Sequence, residues 1–371
     1  QVRVPARAWG FNSPLAHHGE PPFGEVLVFL GVPSDSPHTI RCRSTVRSSR
    51  YSDAEPSSRT SPMEGAMNIR TSPLVQMTSE AKRPTRWWLG WIVAVVIILA
   101  GGIGGQSLGS ALLGNPQEQD TLYQFNDFFG FGATLLLLFL WVRLKEGRPF
   151  SSVGFRGHNA IGKLLLGLVI GAAMMTTGVL VAWVTGQYGP GLSVHTNLGT
   201  AALLPIVVLL LVFFVQAGTE EAMTRGYMLQ IGGRDINGWA AILGAAIIFT
   251  AIHPGITPVA GLNIMLYAVF ASFVALGQGN LWLIVGIHIG WNYFQGNIFG
   301  IPVSGNPTAS SLFDFGPTQG SNDLVTGGTF GLEASLIGTL VLVIALAIGF
   351  TFYRRAEAQR AAESAPEALP A

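Results

Sequence analysis

The sequence predicts an all-α polytopic membrane protein, with about eight transmembrane helices. Three observations lead there. Of 371 residues, 49% are hydrophobic and only 11% charged, where a soluble protein carries about 25% charge. From residue 87 onward the apolar residues gather into long runs. A few strongly polar side chains, Glu220, Glu221, Arg225, His253, His288 and Asn292, lie inside or at the ends of those runs.

Residues 1–86 differ from the rest. They are rich in Ser, Arg and Pro, as in the stretch from Arg41 to Arg50. Such a composition cannot bury enough apolar surface to offset ordering, so this region is expected to be disordered. Only Val26 to Val32 reads as a short strand, and no apolar stretch has the length of a signal-peptide core. Met63, Met67 and Met77 each offer a start, which raises the reading that the region is not native coding sequence. A natural N-terminus before Met63 would sink that reading.

The apolar segments span 87–113, 128–143, 160–184, 201–231, 239–252, 258–277, 281–300 and 330–353. Most have the ~20 residues a bilayer requires. The second is short and the fifth shorter still, so the fifth is expected to cross only part of the membrane. Glycine is common within them and permits close helix approach. Together they define a membrane domain over 87–355, followed by a solvated Ala/Glu-rich tail over 356–371. The one long connection, 302–329, is rich in Gly, Ser and Asn.

Charge in the connections orients the chain. Lys82, Arg83 and Arg86 precede the first segment; Arg143, Lys145, Arg148 and Arg156 separate the second from the third; Arg234 follows the fourth; Arg354, Arg355 and Arg360 follow the eighth. The alternate connections carry acids or no charge. This fits the positive-inside rule with both termini cytoplasmic in a cell-membrane protein. The net charge of +1 gives no sign of a nucleic-acid partner, and a single cysteine, Cys42, excludes an internal disulfide and a cysteine-based metal site. The expected surroundings are the lipid bilayer.

The polar groups within the apolar segments are the candidate site. An ionisable group at membrane depth costs on the order of 3 kcal/mol and by default marks function. Glu221 and Arg225 are four apart on one helical face and can form a charge-assisted pair. Glu220 points about 100° away, without that partner. One carboxylate is thus structural and the other free for proton transfer; the plain alternative is a helix end with three solvated charges. His288 and Asn292 are also four apart and can act on one atom together. Phe249 precedes His253 by one turn and can pack on its imidazole. The plain alternative for each histidine is a hydrogen bond between helices. Glu220, His253 and His288 form a set with an open position that can hold zinc, and this stays an open alternative. The sequence lacks His-Glu-x-x-His, Gly-x-Ser-x-Gly and a Walker-type phosphate loop.

Glu220-Glu221-x3-Arg225, Phe249-x3-His253 and His288-x3-Asn292, in that order on successive apolar segments, resemble the three motifs of the CPBP family. These are intramembrane metalloproteases related to the CAAX prenyl endopeptidases and to the bacteriocin-processing and self-immunity (Abi) proteins. The resemblance covers about 85–355 and is specific within 218–293. It implies an all-helical membrane fold around a hydrophilic cavity, and an intramembrane metalloprotease or glutamate-type endopeptidase whose partner is a protein or peptide substrate, membrane-associated or CAAX-like. It implies Glu220 as general base helped by His253, His288 and Asn292 as oxyanion stabilisers or metal holders, and Glu221 with Arg225 as the brace of the site. Two alternatives belong to other classes: a non-catalytic immunity or scaffold protein on the same fold, and a proton-coupled transporter. The transporter reading predicts paired, Gly/Pro-broken helices, and no such pair is evident.

Overall fold

A computed structural model describes residues 67–118, 120–191 and 197–364. The readings that fall on 1–66, including the strand at 26–32, Cys42 and three histidines, lie outside these residues, as does the end of the tail.

The helices are α1 (Pro73–Gln76), α2 (Trp87–Leu113), α3 (Thr121–Leu140), α4 (Ala160–Val184), α5 (Leu203–Met223), α6 (Leu229–Asp235), α7 (Gly238–Ala251), α8 (Pro258–Gln278), α9 (Trp282–Tyr293), α10 (Asp323–Thr326) and α11 (Leu336–Glu363). Three of the helix ends widen into π-turns: Trp141–Glu146 after α3, Thr224–Met228 between α5 and α6, and Phe294–Ile298 after α9. Among the described residues, six stretches are long and apolar enough to cross a membrane: Trp87–Leu113, Thr121–Glu146, Ala160–Val184, Gly199–Asp235, Pro258–Gln278 and Leu336–Glu363. The expected eight are therefore six of spanning length and two short apolar helices.

The short ones have local causes. Asn237 caps α7 by accepting a hydrogen bond from Trp239 N–H, and the chain leaves the helix ahead of Pro254 and Gly255, whose φ is +67°. Fourteen residues at ~1.5 Å each reach about 21 Å, short of the ~30 Å hydrocarbon core. Helix α9 has 12 residues before its π-turn.

Glycines set how closely the helices approach. Gly167 and Gly171 on α4 face Gly286 and Gly290 on α9, and a Cβ on any of the four would overlap backbone oxygen of the opposite helix. The seam fixes α9 against α4 backbone to backbone, as small residues do within membranes. Gly101 and Gly105 bring α2 against Thr134 and Phe129 of α3 in the same way. Large apolar side chains such as Leu204, Val184 and Ile161 point outward, each more than 70% exposed, as lipid-facing positions do.

Four sequence expectations change. Residues 67–86 are ordered rather than disordered: Ile69–Thr71 and Met77–Glu80 form 3-10 turns flanking α1. The apolar residues scattered in that polar stretch supply the reason, since Ile69 and Val75 join a buried cluster with Leu229, Ala241, Phe273 and Tyr353. Arg148 is no solvated loop charge. It is fully buried, 2.7 Å from Glu146 and 2.9 Å from Gln230 Oε1. The long connection folds back as short strands. There β4 (Phe315–Pro317) pairs antiparallel with β1 (Tyr188–Pro190), and β3 (Ser310–Ser311) pairs parallel with β2 (Asn197–Leu198). The tail expected from 356 begins as a largely exposed continuation of α11 to Glu363.

Candidate active site

Helix α5 delivers the two carboxylates to different surroundings. Glu221 is fully buried, and Arg225 Nη1, one turn on, lies 3.2 Å from its Oε1. Arg225 falls in the π-turn, donates also to Thr224 Oγ1 at 2.8 Å, and sets its guanidinium over the rings of Phe249 (4.6 Å) and Tyr267 (5.6 Å). Such stacking on aromatic faces holds a cation out of water. Glu221 Oε1 also meets His288 Nδ1 at 2.9 Å. Glu220 keeps 16% of its side chain exposed and faces a cleft. The division between the two carboxylates expected from helical spacing is thus present in the geometry.

His288 stands between them, with Nε2 3.6 Å from Glu220 Oε2. Asn292, one turn further along α9, lines the same cleft. Both lie on the helix held by the glycine seam, and the π-turn Phe294–Ile298 follows directly. Single-turn π geometry recurs at functional sites because it re-aims the side chains of one turn. Here it follows both the Glu220-Glu221 motif and the His288-Asn292 motif.

His253 sits just beyond the end of α7 and reaches the cleft from another side. Its Nδ1 is 2.7 Å from the carbonyl oxygen of Phe249, and the two rings are 4.8 Å apart. A carbonyl only accepts, so Nδ1 carries the proton and Nε2 is the basic nitrogen. The short α7 and the long α5 bring His253 and Glu220 to one cleft.

The cleft holds residues that sequence reasoning missed. Gln216, Asn263, Tyr267, Trp291, Ser304 and Glu333 all line it. Glu333 accepts hydrogen bonds from the backbone N–H and hydroxyl of Ser304 and from Trp291 Nε1. Burial pushes its carboxyl above the usual range, partly offset by the Ser304 hydrogen bonds. A signal was available: Glu333 lies inside the apolar segment 330–353, where an ionisable residue is as costly as at 220.

Glu220, His253 and His288 are the residues the sequence offers to zinc. Among the described residues, no three His, Cys, Asp or Glu side chains converge as a metal-holding group. No step below passes through a metal.

Residues 202–294, which contain all seven motif positions, match the family model described as type II CAAX prenyl endopeptidase Rce1-like. No curated protein matches the chain, and no solved structure matches it. Over that segment the chain is similar to the type II CAAX prenyl endopeptidases.

Proposed function

We propose that the chain is an intramembrane endopeptidase in which Glu220 activates the attacking water. One observation carries this reading: of two adjacent carboxylates, the one without the arginine faces a cleft shared with His253, His288 and Asn292.

A water held by Glu220 gives it a proton as the water oxygen bonds to the scissile carbonyl carbon. The carbonyl electrons move to oxygen, where the Asn292 amide and His288 Nε2 donate hydrogen bonds. Such a donor is worth about 3 kcal/mol in the transition state. With Nδ1–H committed to Glu221, Nε2 donates only when the ring carries both protons, and the carboxylates at 2.9 and 3.6 Å balance that charge. Collapse breaks the C–N bond, and the departing nitrogen takes the proton from Glu220. His253 Nε2 offers a second station for that proton. Glu221 and Arg225 orient His288 and do not touch substrate.

The test compares protein termini in cells carrying wild type or Glu220→Gln at matched membrane levels. Termini that depend on Glu220 would support proteolysis and identify substrates. The effect of a chelator on that cleavage would decide the metal question. If no terminus differs, and both forms rescue a deletion phenotype equally, the enzyme reading falls and the scaffold reading replaces it.

A further inference from the structure

A carboxylate remains in the cleft that this chemistry does not use. Glu333 stands on a turn built for it. Gly331 adopts φ +107°, and Asn263 Nδ2 on α8 donates to the carbonyls of Glu333 (2.8 Å) and Ser335 (2.9 Å). The side chain is just as fixed: Oε1 accepts from Ser304 N–H and from its hydroxyl at 2.9 Å. Oε2 receives only the Trp291 indole N–H, at a long 3.4 Å. A carboxylate offers about four acceptor sites, so Oε2 retains capacity toward the cleft.

The charge balance of the cleft is one-sided. Two carboxylates, Glu220 and Glu333, line it, and no Lys or Arg is among the lining residues. Of the nearby cationic groups, Arg225 is turned into its pair with Glu221 and away between two rings, and the His288 ring lies between Glu220 and Glu221, which leaves only the His253 ring beside Glu333. A partly desolvated carboxylate without a cation attracts one strongly. Trp291 adds an aromatic ring to the same wall, a residue type that also favours cations.

We propose that Glu333 forms a subsite for a positively charged side chain, Lys or Arg, of the polypeptide to be cut. This rests on the endopeptidase reading and adds a substrate class to it. Glu220 stays available for water because Glu333 takes the cation.

The test uses the full chain carrying Glu220→Gln, purified in detergent. The probes are N-acetylated, C-amidated peptides of one sequence with a single Lys, Arg, Gln or Glu at successive positions. At one position, Lys and Arg are expected to bind about tenfold tighter than Gln, with Glu weakest. Adding Glu333→Gln, whose amide oxygen keeps the acceptor for Ser304 while its NH2 takes the place of the oxygen weakly bonded to Trp291, should remove the preference. Adding Glu333→Lys should reverse it toward Glu, which a purely structural role would not do. A preference that survives Glu333→Gln, or none in the Glu333 protein, overturns the subsite. If Glu333→Lys does not fold, the Gln variant decides alone. The two readings also fail separately. Glu220-dependent termini with no basic residue near the cut sink the subsite only, whereas absence of such termini sinks the endopeptidase whatever the peptides show.

Discussion

His288 Nδ1 and Glu221 Oε1 meet at 2.9 Å, and Arg225 closes on the same oxygen at 3.2 Å. Both charges of the Glu221–Arg225 pair are buried, so removing one strands the other. Glu221→Gln and Arg225→Met are each expected to cost about 3–5 kcal/mol, and the double variant less than their sum. A double-mutant cycle read by unfolding in detergent checks this. Additive losses would mean the pair is not coupled.

Glu220→Gln should behave differently although it is the adjacent residue. Glu220 faces the cleft and has no arginine partner, so its substitution is expected to cost less stability than Glu221→Gln while cleavage is lost. Unfolding of the two Gln variants side by side measures the contrast.

The α4–α9 seam predicts a stability effect that rests on packing and not on charge. Gly167→Ala and Gly290→Ala push a methyl into the opposing backbone and are expected to cost about 1–3 kcal/mol or more. Gly104→Ala, where a methyl meets nothing within 4 Å, is the control and should be neutral or mildly stabilising. Thermal unfolding of the three variants decides.

Much of this arrangement was legible in the sequence. The long helices stand out because uninterrupted apolar runs end at polar residues; 87–113 and 160–184 match α2 and α4 residue for residue. Glu221 and Arg225 were paired by helical spacing alone, and the placement of Glu220 on another face follows from it. Spacing could not show the π-turns at 224–228 and 294–298, because hydrophobic periodicity hardly registers one extra residue. Nor could it show that Arg148 is buried, since its partner Gln230 is 82 residues away. Glu333 was hidden by being absorbed into a hydrophobic segment, although the helix starts only at Leu336.

Glu333 also predicts a pH dependence. Its folded pKa lies above its unfolded one because burial disfavours the charge. Its contribution to stability is therefore fully present below the unfolded value, about 4.3, and is lost as pH rises through the folded value. The stability of wild type relative to Glu333→Gln should fall as pH is raised. Unfolding of both proteins from pH 4 to about 8 tests this, and a difference that does not change with pH would show that Glu333 titrates alike folded and unfolded.

The π-turn at Thr224–Met228 makes the helix one residue longer than uniform α geometry would require over the same rise. That surplus acts as a phase shifter. It lets the motif turn keep its own angular setting while Leu229–Asp235 packs on Ile69 and Ala241 with another. Deleting any single residue within 224–228 would force a choice between the two, rotating one half by about 100° relative to the other. The segment that looks most like a plain continuous helix is therefore where chain length, more than residue identity, is least negotiable.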